Sequence, residues 1–116
     1  MSLKSVYEEQ LQKKQEAELA QHAARLDGVE RLRRFYEQIL QDGLPETNTE
    51  VEFADQELMV DPGPIMITTR VAPDGTFRLF YEVKSPDEYR EIEVPGIAST
   101  EDLEREIARL LVEYRP

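Results

Sequence analysis

Acid-base and nucleophilic catalysis need a histidine, a thiol, or a hydroxyl beside a base, and this sequence offers few of them. Its single histidine is His22, in "AQHAAR", and it has no cysteine. His22 lies on a weakly amphipathic stretch beside Gln21, Ala23 and Ala24. A solvated helix residue explains that setting better than a candidate base, which would need an orienting partner. Ser85 follows Lys84 in "VKSPDE", but adjacent strand residues point to opposite faces, so the pair reads as the start of a turn rather than a Ser-Lys dyad. A phosphate cradle needs glycines clustered ahead of a helix, whereas Gly28, Gly43, Gly63, Gly75 and Gly96 are isolated. No catalytic, cofactor-binding or metal-ligating residue is expected, no cofactor is implied, and the chain reads as a non-enzyme.

The other residues dense enough to suggest chemistry are acids. "NTEVEFADQELMVDPGP" carries Glu50, Glu52, Asp55, Glu57 and Asp61 and no base, inside a gap without Lys or Arg between Arg34 and Arg70. If Val51 and Phe53 face a core, Glu50 and Glu52 face water, and Glu46, Asp55, Glu57 and Asp61 fall in the flanking turns. Charge on an early, peripheral strand also discourages edge-to-edge aggregation. A calcium loop would need ligands at spacings such as Asp-x-Asp-x-Asp-Gly, which "ADQELMVDPG" lacks. The functional alternative is an acidic patch, formed by those five residues, for a basic protein partner.

Bulk properties narrow the partner. At 116 residues the chain has the length of one ordinary domain. It is 34% charged, with a mean hydropathy of -0.59. Of the net charge of -11, residues 1–42 hold seven bases and eight acids, about -1, and residues 43–116 hold seven bases and seventeen acids, about -10. Such a body repels phosphate backbones, so direct nucleic-acid binding is not expected. "MSLKSVYEEQLQKKQ" lacks the apolar core of a signal peptide, and no stretch reaches the ~18 apolar residues of a membrane span. With no cysteine for disulfides, a cytoplasmic protein without membrane contact is expected.

These residues must be positioned by a small set of elements. Residues 3–42 are free of proline and rich in Glu, Gln, Lys, Leu, Ala and Arg, all helix formers. Val29, Leu32, Tyr36, Ile39 and Leu40 fall at helical spacing and define a core-facing side, with Phe35 at its margin. "LDGVE" suggests an interruption: Asp27 suits an N-cap, Glu30 stands three residues on, and Gly28 weakens continuity. "QDGLP" at Gly43 stops the helix.

The period then changes to two. Val51 and Phe53, then "LMV", then Ile65, Ile67, Thr69 and Val71 alternate with polar residues. "APDGT" supplies a tight turn in which Asp74 and Gly75 suit positive φ, and Phe77, Leu79, Tyr81 and Val83 alternate beyond it. After "KSPDE", Arg90, Ile92 and Val94 share one side and Tyr89, Glu91 and Glu93 the other. Finally, Ser99 or Thr100 caps a helix whose stripe is Leu103, Ile107, Leu110, Leu111 and Tyr114. The expectation is an α+β domain: an antiparallel meander of four or five strands, an N-terminal helix kinked or broken near Gly28, and a C-terminal helix, both packed on one face. Residues 1–25 form an N-terminal helical arm for oligomerisation or a partner, and residues 26–116 the single α+β domain.

Two apolar sets are left without a place in that core. Leu3, Tyr7 and Leu11, with Val6 and Leu19, either fray or pair with a second copy or another protein. Met66, Phe80 and Tyr89 face the side of the sheet away from the helices, as an open patch or beneath a folded-back N-terminal segment. The reading is a small, acidic, non-catalytic protein-protein interaction module, homodimeric. The alternative is an acidic nucleic-acid mimic or a chaperone-like protein with a basic partner. The order of helix, acidic meander and closing helix is similar in outline to small acidic secretion chaperones, which dimerise and wrap disordered clients. The helix those chaperones place between strands is not apparent here.

Overall fold

A computed structural model describes residues 2–45, 48–85 and 89–115, with the side chain of Tyr89 outside the description. The expected Glu46 position and most of the "KSPDE" turn therefore lie outside the described residues. The chain opens with helix α1, Leu3–Asp42, capped by Ser2, whose hydroxyl accepts from the Ser5 N–H at 3.2 Å. At 1.5 Å per residue the 40 residues of α1 span about 60 Å, nearly the molecule's 67 Å long axis. Gly43, at φ +85°, ends the helix by donating its N–H to the Ile39 carbonyl at 2.8 Å.

Five strands follow: β1 Glu50–Ala54, β2 Glu57–Asp61, β3 Ile65–Val71, β4 Phe77–Lys84 and β5 Tyr89–Ile97. They form one antiparallel sheet in the order β1-β2-β3-β4-β5. Helix α2, Thr100–Glu113, closes the chain with Ser99 as its cap, the Ser99 hydroxyl accepting from the Asp102 N–H. The fold is the expected α+β arrangement, with five strands rather than four. Registers such as Val60↔Ile67 and Ile67↔Tyr81 stack the alternating apolar residues into rows on one face.

Both helices cover that face. From α1, Leu32 and Phe35 are buried in a common core with Leu58, Val60, Ile65, Ile67, Phe77 and Leu79 of the sheet, and α2 contributes Leu103, Ile107, Leu110 and Leu111. Val51 and Phe53 pack against this core from β1, and Phe53 stacks on Tyr36 with ring centroids 5.7 Å apart. Fully burying a Leu or Phe side chain contributes on the order of 1.5 to 3 kcal/mol, so these rows carry most of the cohesion.

Several local expectations are corrected. α1 is not broken at Gly28: it runs as one helix, and Asp27 pairs with Arg31 at 3.1 Å instead of capping. The glycine is there for close approach, because a Cβ on Gly28 would stand 2.6 Å from the Gly75 carbonyl oxygen and 2.7 Å from Val71 Cγ1. The buried side of α1 runs through Gly28, Leu32 and Phe35, so Phe35 lies inside and Leu40 faces out. Glu57 and Asp61 belong to β2 rather than to turns. The β1–β2 turn is only Asp55 and Gln56, both at positive φ, 53° and 64°, as a two-residue hairpin requires. In the β3–β4 hairpin Gly75 alone takes positive φ; Asp74 instead accepts from the Thr76 N–H and hydroxyl. β5 also extends beyond Val94 to Ile97, with an extra residue accommodated as a bulge where Leu79↔Val94 passes to Phe77↔Ile97. Pro95 is tolerated there because β5 is an edge strand.

Candidate functional site

Two surfaces are left over once the core is filled. The first is the N-terminal half of α1. The helix meets the body from Ala24, whose carbonyl lies against Gly75, and Arg25, which donates to the Gln56 side chain at 2.8 Å. Every residue from Leu3 to Ala23 except Val6 is exposed. Leu3, Tyr7, Leu11 and Leu19 show 87%, 62%, 40% and 71% of their surfaces to solvent. The segment does not fold back over the sheet, because α1 is continuous and carries it past the β1–β2 and β3–β4 turns. His22 lies on this exposed half. A lone helix of this length is marginal in water, since propensity scarcely offsets the ordering of its backbone.

The second surface is the outer face of the sheet. Cross-strand pairs place Glu52, Met59, Thr68, Phe80 and Glu93 in one row. Met66, Glu82 and Glu91 stand in the neighbouring row, and Glu50 lies opposite Asp61. Met66 and Phe80 come together around a small hollow of ≈30 Å³ that Glu82 and Glu91 also border. Tyr89 pairs through its backbone with Lys84. The patch is less open than its composition suggests: Arg70 and Arg78, opposite one another in register, both lie over the Phe80 ring at 5.3 and 5.1 Å. Each such contact contributes about 0.5 to 1 kcal/mol at an exposed site.

Of the five expected acids, Glu50, Glu52 and Asp61 line one shallow cleft of ≈550 Å³ with Met59 and Met66. Asp55 and Glu57 are held elsewhere, Asp55 in its turn and Glu57 in an ion pair with Arg70 at 2.7 Å. Asp61 is bridged by Lys84 at 2.6 Å, and Arg78 pairs with Glu93 at 3.1 Å. Glu50, Glu52 and Glu82 have no cation partner among the described residues. Among the described residues two carboxyls are held below the ordinary range, Glu30 by its hydrogen bond to Arg33 and Asp74 by its bonds to Thr76; neither belongs to the cleft. Burial, with Tyr114 beside it, pushes the Tyr81 hydroxyl up.

Met59, Arg70, Arg78 and Glu82 were not singled out from the sequence. Once the β3–β4 turn is fixed, Arg70 and Arg78 stand at symmetric distances from it, which is the signal that finds them. A further groove of ≈200 Å³ lies between the end of α1 and α2, lined by Phe35, Ile39, Leu44, Ile107 and Leu111 among others. Among the described residues no three His, Asp or Glu side chains are grouped to hold a metal ion, and no helix is long and apolar enough to cross a membrane. Comparison with protein-family models, with curated proteins and with solved structures gives no match to this chain.

Proposed function

We propose that this chain is a small, non-catalytic association module that works as a homodimer through the exposed half of α1. The observation that carries the reading is the run from Leu3 to Ala23. A continuous helix holds leucines and a tyrosine in water, beyond its first contact with the body at Ala24. Burial against a second protein surface supplies what a free helix of this composition lacks. Light scattering across a concentration series tests it: the full chain is expected to double in mass, and a Leu3→Ser/Tyr7→Ser/Leu11→Ser variant to stay monomeric. A full chain that remains monomeric at every concentration overturns the homodimer.

A second reading is favoured by a separate observation, the carboxylates of Glu50, Glu52 and Glu82 on the outer face, which have no cation partner among the described residues. These suit a basic protein partner, which would rest its apolar residues on Met59 and Met66. Within this reading the nucleic-acid mimic is the less favoured form, because Arg70, Arg78 and Lys84 interrupt the acidic rows. Titration with a lysine-rich peptide separates the cases: binding that is lost in Glu50→Gln/Glu52→Gln supports the acidic patch, and indifference to that change removes it.

A further inference from the structure

We infer that two copies pair antiparallel through the exposed half of α1, in the register that sets Leu11 against Leu11 of the second copy. This rests on the homodimer reading above and gives it a geometry. Lys4, Tyr7, Leu11, Lys14 and Glu18 recur along α1 at alternating steps of three and four, so they form one stripe on the helix. All five are exposed. Reversing a second copy about Leu11 places Lys4 level with the second copy's Glu18, and Tyr7 within one residue, about 1.5 Å along the axis, of its Lys14. The two-fold axis repeats both contacts on the other side of the Leu11 pair. The Lys14 stem covers the Tyr7 ring while its ammonium stays at the rim.

A parallel pair has none of this complementarity. It sets Lys4 on Lys4, Lys14 on Lys14 and Glu18 on Glu18, and like charges in register oppose association. It also brings two bodies of about -10 each side by side. The antiparallel register keeps them apart. The overlap runs from Leu3 to Leu19, short of the body's first contact at Ala24. At 1.5 Å per residue the two Ala24 positions stand about 40 Å apart, several times the ~10 Å screening length at 0.1 M salt.

The ion pairs within α1 permit the exchange. Lys14 and Glu18 are 3.9 Å apart and both largely exposed, a contact of little strength that each can leave for a partner. Lys13 pairs with Glu9 at 3.4 Å, and helical spacing puts that pair on the side opposite Leu11, where pairing leaves it undisturbed.

Because the chain has no cysteine, single thiols report the register directly. In full-length protein with oxidised glutathione, Leu11→Cys is expected to link to itself. Lys4→Cys is expected to link to Glu18→Cys in a mixture but not to itself, and Glu9→Cys is expected to remain unlinked. Charge reversal supplies a second readout. Lys4→Glu alone and Glu18→Lys alone each weaken dimerisation by about tenfold, while an equal mixture of the two restores it, since every Lys4 or Glu18 contact is again between opposite charges. A dimer in light scattering in which Lys4→Cys links to itself, or in which none of these thiols link, overturns the antiparallel register and leaves the homodimer reading standing. Monomers throughout overturn both.

Discussion

Gly28 and Gly75 are the residues on which the seating of α1 depends. A Cβ on Gly28 meets the Gly75 carbonyl oxygen at 2.6 Å, and one on Gly75 meets the Ala24 carbonyl oxygen at 2.4 Å. Helix and turn therefore touch backbone to backbone. Gly28→Ala sets two effects against each other: alanine improves helix propensity by about 1 kcal/mol, whereas overpacking against atoms that cannot move away costs roughly 1 to 3 kcal/mol. The carbonyl belongs to a turn held by two backbone bonds, Ala72 N–H to the Thr76 carbonyl and Gly75 N–H to the Ala72 carbonyl, so the clash is expected to win. Denaturant unfolding should show a net loss of about 1 kcal/mol; a more stable variant would contradict this contact. The opposite sign is expected at Thr69, which is fully buried with a hydroxyl that has no partner. Thr69→Val keeps the shape and removes an unsatisfied group, for an expected gain of about 1 kcal/mol in the same measurement. Neither effect is legible in the sequence. "LDGVE" has the composition of a helix start, and only the chain 47 positions further on, folded against it, gives Gly28 its reason.

At the scale of elements, the strands were legible because their alternation is imposed by the core, and Ile65–Val71 with Phe77–Val83 needed only the turn between them. The β1–β2 hairpin was less so. Its two turn residues both take positive φ without a glycine to mark them, so Glu57 and Asp61 read as turn residues and the outward-facing Met59 went unnoticed. The β3–β4 turn yields a pH prediction. Asp74 accepts from Thr76 twice, at 3.0 and 2.6 Å, and its carboxyl is held low by those bonds. A carboxyl lowered in the folded state stabilises above its unfolded value, and that contribution is lost as pH falls through the folded value. The turn that seats α1 should therefore loosen on acidification, from the ordinary carboxylate range downward. The protection of the Thr76 and Gly75 amides, measured against their intrinsic exchange rates at each pH, is expected to fall in that window in the wild type; in Asp74→Ala it should be low already at neutral pH. An acid response that survives Asp74→Ala would assign it to another group, such as Glu30, whose carboxyl is also lowered.

For the whole molecule, charge and shape point the same way. Most of the negative charge sits on the body, and the nearly neutral helix carries the exposed apolar residues out along the long axis. An association surface on that helix lets two acidic bodies join without approaching each other, whereas one on the outer face presses carboxylates such as Glu50, Glu52 and Glu82 toward their own copies. Solution scattering distinguishes the two. One chain has a radius of gyration of 18.7 Å over its Cα atoms. Two chains joined through the exposed half of α1 have their centres of mass far from the two-fold axis, which raises the radius to on the order of 30 Å by helix-rise arithmetic. A face-to-face pair of sheets stays only slightly larger than the single chain. A dimer by mass with the larger radius places the contact on α1. A dimer with the smaller radius moves it to the outer face, where Arg70 and Arg78 would have to leave Phe80 or find acids across the interface.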